Sequence, residues 1–529
     1  MSSLNRRLSL LARPGHHESL TGIRRGIEKE SLRVTPEGEL SQRPHPRALG
    51  STLTHPNITT DFSEALLEFI TPPLGSVPEV LQSLEDIHRF TYSNIGDELL
   101  WVNSMPCVLG RDEDIPLAEY GSSNIGQMKK IYRRGLGKRY GRLMQTIAGI
   151  HYNWSLPDAC WELLKTDVSY TGTLQDYKTE GYFGLIRNFR RHFWLLLYLF
   201  GGAPAVCRSF VAGRQHQLQP FNGDNHSLHM PHATSLRMGD LGYQSKAQEA
   251  LVVCYNSLTS YIENLRQALT ETYPPYEKIG IRDPNGKYLQ LNTHLLQIEN
   301  EFYSTIRPKR TTESGEAPIQ ALWQRGIEYI EVRCIDLNPY APLGIDAEQM
   351  YFTEVFLLHC LLSESPATDD FEYRQLLDNQ HRTVYQGRDP ALALLRGNDE
   401  IPLRSWAEQL FGELEDIADL LDMNMSHGEH RRAIDRLKVR LEDPQQTPAA
   451  RLLAEMETSG ATYFQTALGH ARQQRAYFLD KPLTPALISE FQQLAEQSRI
   501  RQANIESIDK SSFEEYLATF YAQYNFPLS

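Results

Sequence analysis

The stretch GIRRGIEKESLRV, residues 22–34, places Glu28 and Glu30 two positions apart among apolar and basic neighbours. On a strand, alternate side chains share a face, so the two carboxylates would point the same way, about 7 Å apart. On a helix they would diverge by about 200°. Ile23, Ile27 and Val34 supply strand propensity, and TPEG at 35–38 is a turn signal followed by ELSQR, so the segment is expected to open a hairpin. Two like charges on one strand face repel each other unless something cationic covers them. Either that face is solvated, or the pair belongs to a magnesium-type site, which calls for further oxygen ligands on rigid elements. The second case constrains the fold, because other carboxylate-bearing strands must then lie alongside.

Three further segments are candidates for such strands. TTDFSEALLEFITPP, 59–73, reads as a turn at Asp61 running into an apolar strand that contains Glu68, where a charge is costly without a partner. TIAGIHYNWSL, 146–156, alternates Ala148, Ile150, Tyr152, Trp154 and Leu156 with Gly149, His151, Asn153 and Ser155, giving one buried and one polar face. His151 is either a hydrogen-bonded histidine or a metal ligand. In RGIEYIEVRCIDLNP, 325–339, Tyr329, Glu331, Arg333 and Ile335 share a strand face. Glu331 and Arg333 either form a surface ion pair or divide between metal and phosphate.

The 529 residues carry 66 acidic against 53 basic side chains, a net charge of −13, which argues against nucleic acid or an anionic membrane as partner. Any anion site must therefore be built locally. MKKIYRRGLGKRYGRLMQ, 128–145, holds Lys129, Lys130, Arg133, Arg134, Lys138, Arg139 and Arg142 with no acidic residue, and IRPKR, 306–310, is a second basic patch. Each is a solvated face or an anion site; no P-loop and no strand-anchored GxGxxG is present. HSLHMPH spaces His226, His229 and His232 suggestively, but Pro231 breaks any helix that would stack them, so a loop of ordinary histidines is expected.

The six cysteines, at 107, 160, 207, 254, 334 and 360, contain no CxxC and read as reduced, cytosolic usage rather than a disulfide framework. The N-terminus lacks the features of a signal peptide, and the longest apolar run, FWLLLYLF at 193–200, is far shorter than the ~20 residues of a membrane span. A soluble cytoplasmic protein is expected. Up to about residue 365 strand-like and helical stretches mix; beyond it, 3.6-type apolar spacing with Ser or Thr at several starts and Pro at several breaks predicts helices. The predicted division is a catalytic domain over 1–375 and a helical region over 376–529 packed against it.

In sequence order, GIRRGIEKESLRV, TTDFSEALLEFITP, KIYRRGLGKRYGRLMQTIAGIHYNWSLP, HATSLRMGDLGY, LQIENEFYSTIRPKR and GIEYIEVRCIDLNP closely resemble the proteobacterial glutamate–cysteine ligase family, from about residue 20 to 340. The resemblance implies an α+β fold with a glutamine-synthetase-like curved antiparallel sheet, helices outside, and a helical C-terminal region. It implies ATP-dependent joining of the γ-carboxylate of L-glutamate to the amine of L-cysteine through a γ-glutamyl phosphate, the first step of glutathione synthesis. A related ligase with another amine acceptor is the alternative, since a small pocket cannot be matched to one amine from sequence. The family's metal ligands fall on Glu28, Glu30, Asp61, Glu68, His151 and Glu331, for Mg²⁺ or Mn²⁺, with ATP as co-substrate. Arg133 and Arg333 match its phosphate-contacting arginines, and Arg307 and Arg333 its nucleotide contacts. The cysteine-side pocket maps onto Phe62, Tyr132, Leu136, Gln145, Tyr243 and Tyr303, and Arg237 onto a partner for a substrate carboxylate. No macromolecular partner is implied, and a monomer suffices. A second ATP-using domain, as in a bifunctional glutathione synthase, is not expected.

Overall fold

The computed structural model describes residues 2–242, 247–248, 251–424 and 427–527. Its centre is a seven-stranded antiparallel sheet. The strands are β1 (Arg24–Val34), β2 (Ile58–Thr60), β3 (Leu66–Ile70), β4 (Leu99–Leu100), β5 (Ile150–Ser155), β9 (Ile306–Lys309) and β10 (Tyr329–Ile335). They run in the order β2-β3-β1-β5-β10-β9, with β4 paired to the end of β1. A second, three-stranded sheet holds β6 (Ala205–Cys207), β7 (Gln219–Phe221) and β8 (Asp224–His229), and β11 (Ala393–Arg396) with β12 (Asp399–Pro402) forms a separate hairpin.

The alternation in the sequence sorts the main sheet into an apolar and a polar face. On the apolar face Ile27 pairs with Tyr152 and Tyr152 with Val332, while Trp154 pairs with Ile330, all of them fully or almost fully buried. The helix Val77–Tyr92 covers β1 and β3 on this side, and Trp194–Phe200, the FWLLLYLF run, lies against β10. Arg25 on β1 pairs with Glu354 at 2.7 Å, both nearly inaccessible to solvent, which ties the buried helix Ala347–Leu362 to the sheet. The opposite face carries the carboxylates and His151.

The C-terminal part is helical as the spacing predicts, with Leu403–Asp422, Glu429–Glu442, Pro448–Ser459, Tyr463–Asp480, Pro485–Ile508 and Phe513–Ala522. Thr447, Thr462, Thr484 and Ser512 cap four of these helices by accepting a backbone N–H, as expected of Ser and Thr at helix starts. The β11–β12 hairpin interrupts that helical pattern. Residue 375 lies within the helix Asp370–Gln386. No helix among the described residues is long and apolar enough to cross a membrane.

Several expectations need correction. TPEG does form a turn, but the following segment contributes only isolated bridges, Leu40 to Val34 and Glu39 to Val108, and the strand partners of β1 are β3, β5 and, at its end, β4. His226 and His229 sit on β8 rather than in a loop, with His229 Nδ1 3.3 Å from the Gln219 carbonyl; the strand forms because β6 and β7 pair on either side of it. Cys107 and Cys207 are joined in a disulfide with their Cα atoms 5.2 Å apart, so the six cysteines are not all reduced. Their separation of 100 residues leaves no local spacing from which the bond could be read.

Candidate active site

Strand register assembles the polar face. Glu28 on β1 stands directly opposite His151 on β5, and Glu30 directly opposite Glu68 on β3. Glu331 on β10 stands opposite Asn153 on β5 and Arg307 on β9. His151 Nδ1 lies 3.1 Å from Glu28 Oε2 and 3.7 Å from Glu331 Oε1. One ligand atom from each of Glu28, His151 and Glu331 can be chosen so that all three lie within 4.8 Å of one another, a spacing that suits a single divalent cation. Asp61 enters from the turn between β2 and β3, where its N–H bonds the Leu66 carbonyl at 3.0 Å.

The two halves of this face differ electrostatically. Burial opposes ionisation of Glu331, but Arg333, Lys309 and His151 outweigh it and hold the carboxyl well below its usual range. Arg333 Nη1 is 3.1 Å from Glu331 Oε2, and Lys309 Nζ is 3.5 Å from Oε1. Burial and Glu331 push Glu28 up, yet its contact with His151 leaves it lowered. Burial and the Arg333 charge keep the His151 imidazole below its ordinary value, and so neutral and able to ligate. In the other half, Arg237, the Gly149 N–H and Arg333 draw Glu30 down and Arg133 draws Glu68 down, but burial and like charges outweigh them. Burial and Asp61 push Glu30 up to about 8, and burial with Glu28, Asp61 and Glu30 raises Glu68 well above the carboxylate range. A cluster of this kind either takes up protons or binds a cation.

One backbone and one side-chain N–H aim the carboxylates. Gly149 N–H donates to Glu30 Oε2 at 2.7 Å, and Asn153 Nδ2 donates to Glu28 Oε1 at 2.9 Å. Only glycine suits position 149, because a Cβ there would sit 2.0 Å from Arg237 Nη2. Arg237 is almost fully buried; it donates to the Arg333 carbonyl at 3.0 Å and lies 3.7 Å from Asp336. Arg133, on the helix Asn124–Tyr140, donates through Nε to the Asp61 carbonyl, with its guanidinium 4.5 Å over the Tyr120 ring. Beside Glu30, Asp61 and Arg333 lies a cavity of ≈ 90 Å³, also lined by Met144, Ile147, Asn300 and Tyr303. Gln145 Nε2 donates to the Tyr303 hydroxyl at 3.0 Å, and the neighbouring Phe62, Tyr132 and Leu136 are buried.

The sequence pattern of the glutamate–cysteine ligase family matches residues 8–383. A glutamate–cysteine ligase from Alcanivorax borkumensis is 48% identical over 525 residues, 98% of this chain and 100% of that protein. The chain belongs to the glutamate–cysteine ligase family. Another glutamate–cysteine ligase, from Saccharophagus degradans, is 50% identical over 96% of this chain and 95% of its own length. The glutamate–cysteine ligase of Francisella tularensis, solved in complex with AMP, superposes with a TM-score of 0.89 at 36% identity, covering 95% of this chain and 98% of that one. A bifunctional glutathione synthetase from Pasteurella multocida shares the fold, with a TM-score of 0.70 at 23% identity, and this chain spans 57% of that longer protein. The α+β fold and antiparallel sheet are those of the ligase family.

In this ligase the basic run is mostly occupied in holding structure together. Arg139 forms an inaccessible pair with Glu301 at 2.8 Å, Arg134 donates to the Tyr288 carbonyl at 2.6 Å, Arg142 to the Ile115 carbonyl at 2.8 Å, and Lys130 pairs with Glu119. Of its arginines, Arg133 is the one that contacts Asp61. Arg307 is buried on β9 and turned toward the Asn300 and Phe302 carbonyls. Tyr243 lies outside the described residues. Four residues that sequence reasoning did not assign also shape the site: Asn153, Lys309, Tyr120 and Gly149. Asn153 had a visible signal, since it shares the polar face of β5 with His151.

Proposed function

We propose that this chain joins the γ-carboxylate of L-glutamate to the amine of L-cysteine with ATP as co-substrate, the first step of glutathione synthesis. The observation that carries the reading is a row of carboxylates and one imidazole on a single sheet face, opening beside a small cavity that Arg333 and Tyr303 line. Family membership and the AMP-bound relative support it.

The donor set of carboxylates and a neutral imidazole fits a hard divalent cation. Glu28, His151 and Glu331 would hold one ion, and Glu30, Asp61 and Glu68 another. Bound there, Mg²⁺ or Mn²⁺ would supply positive charge to offset that of the nucleotide's phosphates.

The chemistry takes two displacements. The γ-phosphoryl group of ATP moves to a γ-carboxylate oxygen of glutamate and ADP leaves. The cysteine amine then attacks the acyl carbon, loses a proton, and phosphate leaves. Negative charge gathers on phosphate oxygens in both, and the Arg133 and Arg333 guanidinium groups stabilise it. Arg307, with Arg333, serves the nucleotide. Phe62, Tyr132, Leu136, Gln145 and Tyr303 form an apolar and aromatic wall for the small thiol substrate. Arg237 braces Arg333 and adds positive potential for a substrate carboxylate. Residues 1–375 constitute the catalytic unit and 376–529 the helical region supporting it. The enzyme acts as a monomer in the cytoplasm, where ATP and free amino acids are available.

The test is ADP release by purified protein given glutamate, ATP and Mg²⁺ with cysteine, 2-aminobutyrate, ammonia or a polyamine. Cysteine gives the largest stimulation; none from cysteine removes the reading. Glu28→Gln abolishes release while leaving the protein folded.

A further inference from the structure

We propose that the C-terminal segment positions the amine-substrate pocket, the hydroxyls of Tyr521 and Tyr524 holding the turn that presents Tyr303. The inference rests on assigning that pocket to cysteine.

The segment is clasped at separate points to the stretches on either side of β9. Tyr524 is almost fully buried and donates to Glu299 Oε2 at 2.8 Å, while Glu299 Oε1 accepts the Ile319 N–H at 3.2 Å. The Tyr521 hydroxyl accepts from Asn292 Nδ2 at 2.9 Å and donates to the Gln297 carbonyl at 3.3 Å. The Gln523 side chain accepts the Ala317 N–H and donates to the Gly315 carbonyl, both at 2.8 Å.

From the gripped residues, two short routes reach the pocket wall. Gln297 donates through Nε2 to the Tyr132 carbonyl at 3.3 Å, and it is packed so closely that a Cβ on Gly135 would come within 2.1 Å of its Oε1. Gln297 N–H also donates to Glu301 Oε2 at 2.7 Å. The Glu301 carbonyl accepts from Gln248 at 2.8 Å, and Gln248 Oε1 accepts the Tyr303 N–H at 3.0 Å. A shift of the 297–301 turn therefore moves Tyr132 and Tyr303 together. Removing the Tyr524 hydroxyl unpairs a carboxylate oxygen on a buried glutamate, which the turn must rearrange to satisfy. Glu28, His151 and Glu331 are held by β1, β5 and β10, to which the tail makes none of these bonds; Arg307, which donates to the Asn300 and Phe302 carbonyls, is the nucleotide-side group that a shift of this turn reaches, so the effect falls mainly on the amine side.

Full-length Tyr521→Phe and Tyr524→Phe, which keep the rings, are assayed by steady-state ADP release beside Gln523→Ala and Tyr303→Ala, with melting temperatures recorded. Each tyrosine variant raises KM for cysteine about 3- to 10-fold, as expected for one lost hydrogen bond, with kcat within about twofold and a smaller rise in KM for ATP, transmitted through Arg307 on the Asn300 carbonyl. Gln523→Ala, which loosens the tail without unpairing a buried charge, gives a smaller rise of the same selectivity. If Tyr303→Ala leaves KM for cysteine unchanged, the pocket assignment fails and the inference with it. If Tyr303→Ala raises that KM while the tail variants do not, or while they raise every KM in step with lost thermal stability, the positioning role alone is overturned.

Discussion

Divalent-cation binding to the polar sheet face must release protons. Burial and Asp61 push the Glu30 carboxyl up to about 8, and Glu68 is raised well above its usual range by burial, Glu28, Asp61 and Glu30. Glu331 is already ionised, because Arg333 and Lys309 overcome its burial. A carboxyl titrating at about 8 holds about 0.9 proton at pH 7 and about 0.1 at pH 9. A metal that takes the ionised form expels that proton, and Glu68 contributes up to one more, so about one to two protons are released at pH 7. Isothermal titration of Mn²⁺ into metal-free protein, in buffers of different ionisation enthalpy, reads this number as the slope of apparent against buffer enthalpy. Glu30→Gln lowers the slope by about one. The stability sign follows. A carboxyl whose folded value is raised contributes stability that is complete below its ordinary 4.5 and lost as pH rises through about 8. Metal-free protein therefore loses melting temperature over that window, and Mn²⁺ restores it. Tight binding with a slope of zero at pH 7 would show these carboxylates already ionised, with Arg237, Arg333 and Arg133 outweighing burial and like-charge repulsion.

Gly149→Ala forces a Cβ to 2.0 Å from Arg237 Nη2, and Arg237 is too buried and too well bonded to Arg333 to swing away. Overpacking of about 1–3 kcal/mol lowers the melting temperature, and displacement beneath Arg333 cuts kcat/KM at least about tenfold; calorimetry and ADP release both near wild type would show that the guanidinium yields freely. Arg333→Lys loses the planar guanidinium whose Nη1 lies 3.1 Å from Glu331 and 3.3 Å from His151, and lowers kcat by about 10²–10³ with little change in melting temperature.

The strands carrying Glu28, His151 and Glu331 were legible because a period of two is a local property: Ile150, Tyr152 and Trp154 alternate with His151 and Asn153 without reference to the rest of the chain. Glu68 stood out for a related reason, as a charge inside an apolar run. Register was not legible. That Glu30 meets Glu68 and Glu28 meets His151 depends on residues 38 and 123 positions away, and no local pattern encodes it. The basic run shows the same limit. Its composition suits an anion site, but each arginine's destination depends on which carbonyl or carboxylate the fold brings near, and Arg139 goes to Glu301 rather than to substrate. The bond between Cys107 and Cys207, and the grip of Tyr521 and Tyr524 on the pocket turn, are likewise long-range contacts.

The most direct test is anomalous diffraction from a crystal grown with Mn²⁺ and ADP. The prediction is one peak among Glu28, His151 and Glu331, a second among Glu30, Asp61 and Glu68, and nucleotide phosphates beside them. Nucleotide bound with no manganese on this face, or manganese held elsewhere, would contradict the assignment of the sheet's carboxylates to metal and ATP.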